Sequence, residues 1–201
     1  MTHFNSVCVY CGSSFGTDPA FEAAATRLGQ VIAGAGLRLI YGGGNVGLMG
    51  TVARAVLDEG GKVTGIIPQF LEQKEKMLDD VDELIVTETM HERKHLMFDK
   101  ADAFIALPGG VGTLEEVVEM MTWAQLGRHQ KPICLADVKG FWSPLLHLLD
   151  HMRAQGFIRA QTEVPYLVAK RIDDVLPLIS DTLDCIAEPA AGTVNAPLNK
   201  L

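Results

Sequence analysis

Seven short apolar runs punctuate the chain: VCVY at 7–10, LRLIY at 37–41, KVTGII at 62–67, ELIVT at 83–87, AFIALP at 103–108, KPICLAD at 131–137 and PYLVA at 165–169. They lack the strict alternation of a sheet with one wet face, so they read as strands of a parallel sheet covered on both sides. Between them, apolar residues recur at helical spacing over 18–34, 48–60, 90–101, 114–126, 143–155 and 171–184. Strand and helix alternating in this way predict an α/β fold: a single doubly wound, mostly parallel sheet, Rossmann-like, with helices on both faces. One domain of residues 1–186 is expected. The tail from Ala187 onward, AEPAAGTVNAPLNKL, has no periodicity and is expected to be loose.

In such sheets ligands bind beyond the carboxyl ends of the strands. Three glycine-containing loops fall there: CGSSFG after the first strand, YGGGNVGLMG after the second and PGGVGT after the fifth. Ser13, the Gly43–Gly44–Asn45 stretch and Gly109 are therefore candidate binding positions, because backbone N–H groups in such loops approach an anion with no Cβ in the way. Glycines also serve tight turns, so a purely structural role stands beside this one. No acidic residue closes a following strand at the spacing of a ribose contact, which argues against a dinucleotide fingerprint.

Two helix starts carry charge. In PGGVGTLEE, Thr113 and Glu116 have the T-x-x-E spacing of a capping box. Leu114, Val117, Val118, Met121 and Ala124 form the expected buried stripe, with Glu116 off it in line with Met120 and Trp123. In TETMHERKHLMF, Thr89 and Glu92 have the same capping spacing, which puts Arg93 and Lys94 in or near a first turn, where cations oppose the helix dipole. A bound anion would compensate them; extension into water is the alternative. HERKH, from His91 to His95, also matches the H-E-x-x-H zinc pattern, but no third ligand follows at a recognisable spacing, which leaves His129 or a glutamate as the candidates.

Lys and Arg number 17 against 25 Asp and Glu, a net charge of −8. With no long basic run, the chain is a poor partner for nucleic acid, and a small molecule is the expected ligand. MTHFNSVCVYCGSS has neither a basic leader nor a signal-length apolar stretch, and no run is long enough to span a membrane, so the expectation is a cytoplasmic protein. Four cysteines suit a reduced compartment. Cys8 and Cys11 have C-x-x-C spacing but run through a strand end rather than a helix start, which weakens a redox reading.

Taken together, YGGGNVGLMG, MHERK, the complete P-G-G-x-G-T-x-x-E from Pro108 to Glu116 and TWAQLG from Thr122 resemble the LOG (Lonely guy) family of nucleoside 5′-monophosphate phosphoribohydrolases, often mislabelled lysine decarboxylases. The resemblance runs from CVYCGSS to about residue 180. It implies hydrolysis of the N-glycosidic bond of a cytokinin riboside 5′-monophosphate, or of a related AMP, to free base and ribose 5-phosphate. It further implies Arg93 and Glu116 as the catalytic pair, and substrate contacts from Lys94, from Gly110, Val111, Gly112, Thr113, Leu114, Glu115 and Glu116, and from Thr122. Glu75 is the matching position in the variable segment QFLEQKEKM, with Glu72 as its rival. A homodimer is implied; no cofactor or metal is expected, since a carboxylate and an arginine suffice for this chemistry. A non-enzymatic nucleotide-binding module and, through HERKH, a zinc peptidase are the alternatives.

Overall fold

In the computed structural model, which describes residues 4–72, 78, 80–159 and 163–187, every apolar run becomes a strand. These are β1 (Ser6–Tyr10), β2 (Arg38–Tyr41), β3 (Lys62–Pro68), β4 (Glu83–Thr87), β5 (Ala103–Ala106), β6 (Ile133–Ala136) and β7 (Leu167–Ala169). All neighbours pair in parallel, in the order β4-β3-β2-β1-β5-β6-β7. The helices are α1 (Pro19–Gly34), α2 (Gly47–Asp58), α3 (Gln69–Glu72), α4 (Met90–Lys100), α5 (Val111–Gln125), α6 (Ser143–Ala154) and α7 (Val175–Ala187). The four-residue α3 and two 3₁₀ turns, Val138–Gly140 and Ile172–Asp174, are too short to leave a periodic trace in the sequence.

Alternation along β1 shows how both faces are filled. Val7 and Val9, with Cys11 just beyond, join a core cluster with α1, α2 and α7. Cys8 and Tyr10 point the other way, into a cluster with α4, α5 and α6. Each face of the strand is dry, which is why VCVY shows no polar alternation. On the outer edge, β4 has only Thr87 fully buried. Asp18 caps α1 by accepting the Ala20 N–H at 2.8 Å, and Pro19 follows at the first helical position.

The strand order reverses between β1 and β5, leaving a crevice outside their carboxyl ends. There the loop after β1 meets the loop after β5: the Gly12 N–H donates to the Pro108 carbonyl at 3.0 Å, and a Cβ on Gly12 would lie 3.3 Å from Gly109 Cα. Among the described residues, no helix is long and apolar enough to cross a membrane. Residues 188–201 lie outside the described part of the chain.

Candidate active site

The start of α4 turns Arg93 inward. Thr89 is extended, and its hydroxyl accepts the Glu92 N–H at 3.1 Å, while the Glu92 carboxylate accepts the Glu88 N–H at 2.9 Å. This is the expected capping box with its return arm one residue early. It fixes the first turn, so that Arg93 is buried. There Nε donates to the Ile66 carbonyl at 2.9 Å, and Nη1 lies 3.3 Å from Met90 Sδ and 3.2 Å from Glu116 Oε1. The Arg93 and Glu116 side chains are only 10% and 13% exposed, so each charge is held by the other rather than by water.

Helix α5 begins three residues earlier than its apolar periodicity suggests. Gly110 is its cap, with an extended backbone and no side-chain cap bond, so the Thr113–Glu116 capping box does not form. A glycine cap makes a threonine cap unnecessary, and Thr113 is instead a buried residue of the first turn, packed against Gly109. The first intrahelical bond runs from the Leu114 N–H to the Gly110 carbonyl at 3.0 Å. The N–H groups of Val111, Gly112 and Thr113 thus precede the ladder and can meet an anion. The buried face also differs from the expected stripe. It consists of Thr113, Val117, Met120 and Met121, while Leu114 and Val118 are exposed. Rotating the stripe in this way brings Glu116 inward toward α4.

These elements enclose a crevice of about 360 Å³. Its lining includes Ser13, the start of α5 from Gly110 to Thr113, Arg93 and Glu116, all singled out from the sequence. Cys11, Gly12, Met49, Leu71 and Met90 complete it. All five stand inside stretches quoted above, CVYCGSS, YGGGNVGLMG, QFLEQKEKM and MHERK, but none was expected to line the site. Gly109 interlocks with Gly12 behind the lining.

Several expected contacts are placed elsewhere. Lys94 does not face the crevice; its Nζ binds Glu115 at 2.6 Å and Glu119 at 3.0 Å on the outer side of α4 and α5. Neighbouring positions on a helix point about 100° apart, so Arg93 and Lys94 cannot serve the same anion here. Leu114, Glu115 and Thr122 are exposed on α5 and outside the lining, and the Thr122 hydroxyl donates to the Val118 carbonyl at 2.7 Å. Gly43, Gly44 and Asn45 also lie outside it; Asn45 instead accepts from Arg54. Glycine in that loop serves chain packing, since a Cβ on Gly47 (φ +60°) would overlap the Ser13–Ser14 backbone. Glu75 lies outside the described residues, while Glu72 ends α3, whose Leu71 lines the crevice.

Burial pushes the Glu116 carboxyl up to about 7, against the pull of the Arg93 guanidinium and with a smaller push from Glu115. Such a group exchanges a proton near neutral pH, as a general base or acid must. Burial also drives the Cys8 and Cys11 thiols upward, the opposite of what a redox pair needs. Among the described residues, no three His, Cys, Asp or Glu are placed to share a metal ion.

A larger cavity, about 640 Å³, opens near the amino ends of β6 and β7. Its prominent polar groups are already engaged: Lys131 Nζ donates to the Phe98 carbonyl at 2.7 Å, and His129 Nε2 lies 3.0 Å from the Met120 carbonyl. The crevice has the opposite character, with unladdered N–H groups and a titratable carboxylate.

Residues 49–179 match a family described as "Possible lysine decarboxylase". A probable cytokinin riboside 5′-monophosphate phosphoribohydrolase of Oryza sativa subsp. japonica, LOGL1, is 50% identical over 157 residues, covering 78% of this chain and 70% of its own. The cytokinin riboside 5′-monophosphate phosphoribohydrolase LOG of the same species is 48% identical over 157 residues, covering 78% of this chain but 65% of its own, just under two thirds. Among solved structures, the molybdenum cofactor binding protein of Rippkaea orientalis shares the fold, with a TM-score of 0.65 at 24% identity over 91% of this chain and 99% of that one. At 48–50% identity to these relatives over 78% of its length, the chain belongs to the LOG family of cytokinin riboside 5′-monophosphate phosphoribohydrolases.

Proposed function

We propose that the protein hydrolyses the N-glycosidic bond of cytokinin riboside 5′-monophosphates, N6-substituted AMP or AMP itself, releasing the free base and ribose 5-phosphate. The observation that carries this reading is the buried Arg93–Glu116 pair in a crevice rimmed by the start of α5. The 5′-phosphate accepts from the Val111, Gly112 and Thr113 N–H groups, with Ser13 opposite. The sugar then lies toward Glu116, one helical turn deeper. As the base departs with the electron pair of the C–N bond, positive charge grows at the anomeric carbon; the Glu116 carboxylate stabilises it and takes a proton from the attacking water, and a proton is returned to the leaving nitrogen to give the neutral base. Arg93 holds that carboxylate in place. A lysine decarboxylase would need a pyridoxal Schiff-base lysine, whereas Lys94, next to the pair in sequence, is committed to two glutamates.

Incubating the protein with nucleoside 5′-monophosphates and separating the products tests the reading. Free base is expected; binding without base release would mark a nucleotide-binding module instead. The same assay reads pH. Because Glu116 acts ionised and titrates at about 7, kcat/KM should rise as pH increases through neutrality and level off above it. A profile already flat from pH 5 upward would remove Glu116 from that role.

We further infer a homodimer. Val111, Leu114 and Val118 are 84%, 38% and 40% exposed and share one side of α5 beside the crevice. Light scattering should give twice the 21.8 kDa chain mass; a monomer at assay concentration would overturn the inference.

A further inference from the structure

Gly42 directly follows β2 and opens the loop YGGGNVGLMG. A Cβ built on it would overlap Nη2 of Arg93 and lie 3.4 Å from Arg93 Cζ, with Met49 Sδ at 3.3 Å. Two other glycines of this stretch are there for a different reason. Gly43 has φ +81°, and a Cβ on Gly50 would strike the Asn45 backbone. Gly42 has no positive φ, and the obstruction it avoids is a side chain. Its conformation would admit alanine, but the seat of the guanidinium would not.

We propose that Gly42 is a positioning residue for the reaction: by leaving a side chain's space empty, it seats Arg93 where the guanidinium reaches both the Ile66 carbonyl and the Glu116 carboxylate. The inference rests on the function proposed above and extends it to a residue outside the crevice lining. A methyl group at this position needs contact distances of about 3.5 Å or more. The far end of an arginine yields more readily than backbone, so the fold survives and the 3.2 Å contact to Glu116 is broken. The charged and titratable groups around Glu116 are Arg93 and Lys94 on α4, Glu115 and Glu119 on α5, and Cys8, Tyr10 and Cys11 in or just after β1. Of these, Arg93 is the one a side chain at position 42 would displace.

Gly42→Ala tests this. It should lower kcat on the order of a hundredfold, as a roughly 1 Å misplacement can, and leave KM nearly unchanged, because the phosphate donors of α5 are untouched. The rise of the pH–rate profile should move to higher pH. In an Arg93→Ala background the same change should cost nothing further, since residues acting as one unit are non-additive. Full activity, or a loss that adds to that of Arg93→Ala, would overturn the proposal. If Gly42→Ala melts early, Arg93→Ala should restore its stability by removing the obstruction, and failure to do so counts against the proposal. A ¹³C titration of the Glu116 carboxyl separates this idea from the function itself. Its midpoint should rise in Gly42→Ala even if the wild type releases no base, which would fail the functional reading alone; an unmoved midpoint fails the positioning role.

Discussion

Replacing Glu116 with Gln abolishes base release and leaves nucleotide binding largely intact. The substitution keeps the length of the side chain and an oxygen that can accept from Arg93, but removes the charge that faces the anomeric carbon. It leaves the helix start unchanged, because α5 is capped by Gly110 and Glu116 takes no part in the cap. The loss is therefore chemical rather than structural. General base catalysis contributes about 10²–10⁴-fold, and electrostatic stabilisation by a single placed group about 10²–10³-fold. A variant losing both should fall below detection in an ordinary assay. Calorimetry with a non-cleaved nucleotide would show whether binding persists, and turnover within a few fold of wild type would remove Glu116 from the chemistry.

Removing the 5′-phosphate from the substrate should lower kcat/KM on the order of a hundredfold, a loss of roughly 3 kcal/mol of transition-state stabilisation. Three backbone N–H groups at the start of a fifteen-residue helix, those of Val111, Gly112 and Thr113, provide the donors. Charge-assisted hydrogen bonds are about twice as strong as neutral ones, and the helix dipole adds to them. Lys94 contributes nothing direct to this estimate, since its ammonium is held by Glu115 and Glu119. The phosphate is remote from the bond that breaks, so its binding energy serves to hold the sugar against Glu116. Comparing a cytokinin riboside with its 5′-monophosphate at equal ionic strength measures the effect. Equal values would mean that the start of α5 serves the fold alone.

Much of this architecture was legible in the sequence because buried parallel strands and amphipathic helices leave long patterns. The seven runs are the seven strands, and the alternation of elements fixed a doubly wound sheet. The Thr89–Glu92 capping box was equally readable, being local. The T-x-x-E of Thr113 and Glu116 misled because identical spacing is compatible with a cap or with an interior turn; only the geometry of Gly110 decides between them. Lys94 and Arg93 look alike in a string, yet a single step around α4 sends one outward to Glu115 and the other inward to Glu116. The glycines of YGGGNVGLMG suggest phosphate in a string, yet Gly43, Gly47 and Gly50 meet backbone conformation and packing, and Gly42 a side chain 51 positions away along the chain. Such long-range complementarity has no periodic signature.

The most direct test of the central claim is to run the reaction briefly in H₂¹⁸O, trap the sugar at once by borohydride reduction so that its C1 oxygen cannot exchange with water, and analyse both products by mass spectrometry. If water attacks the anomeric carbon beside Glu116, base and ribose 5-phosphate should appear in equal amounts, with the heavy oxygen in the sugar and none introduced into the base. An unlabelled sugar product, a base carrying the label, or no release of base at all would contradict hydrolysis of the N-glycosidic bond at this site.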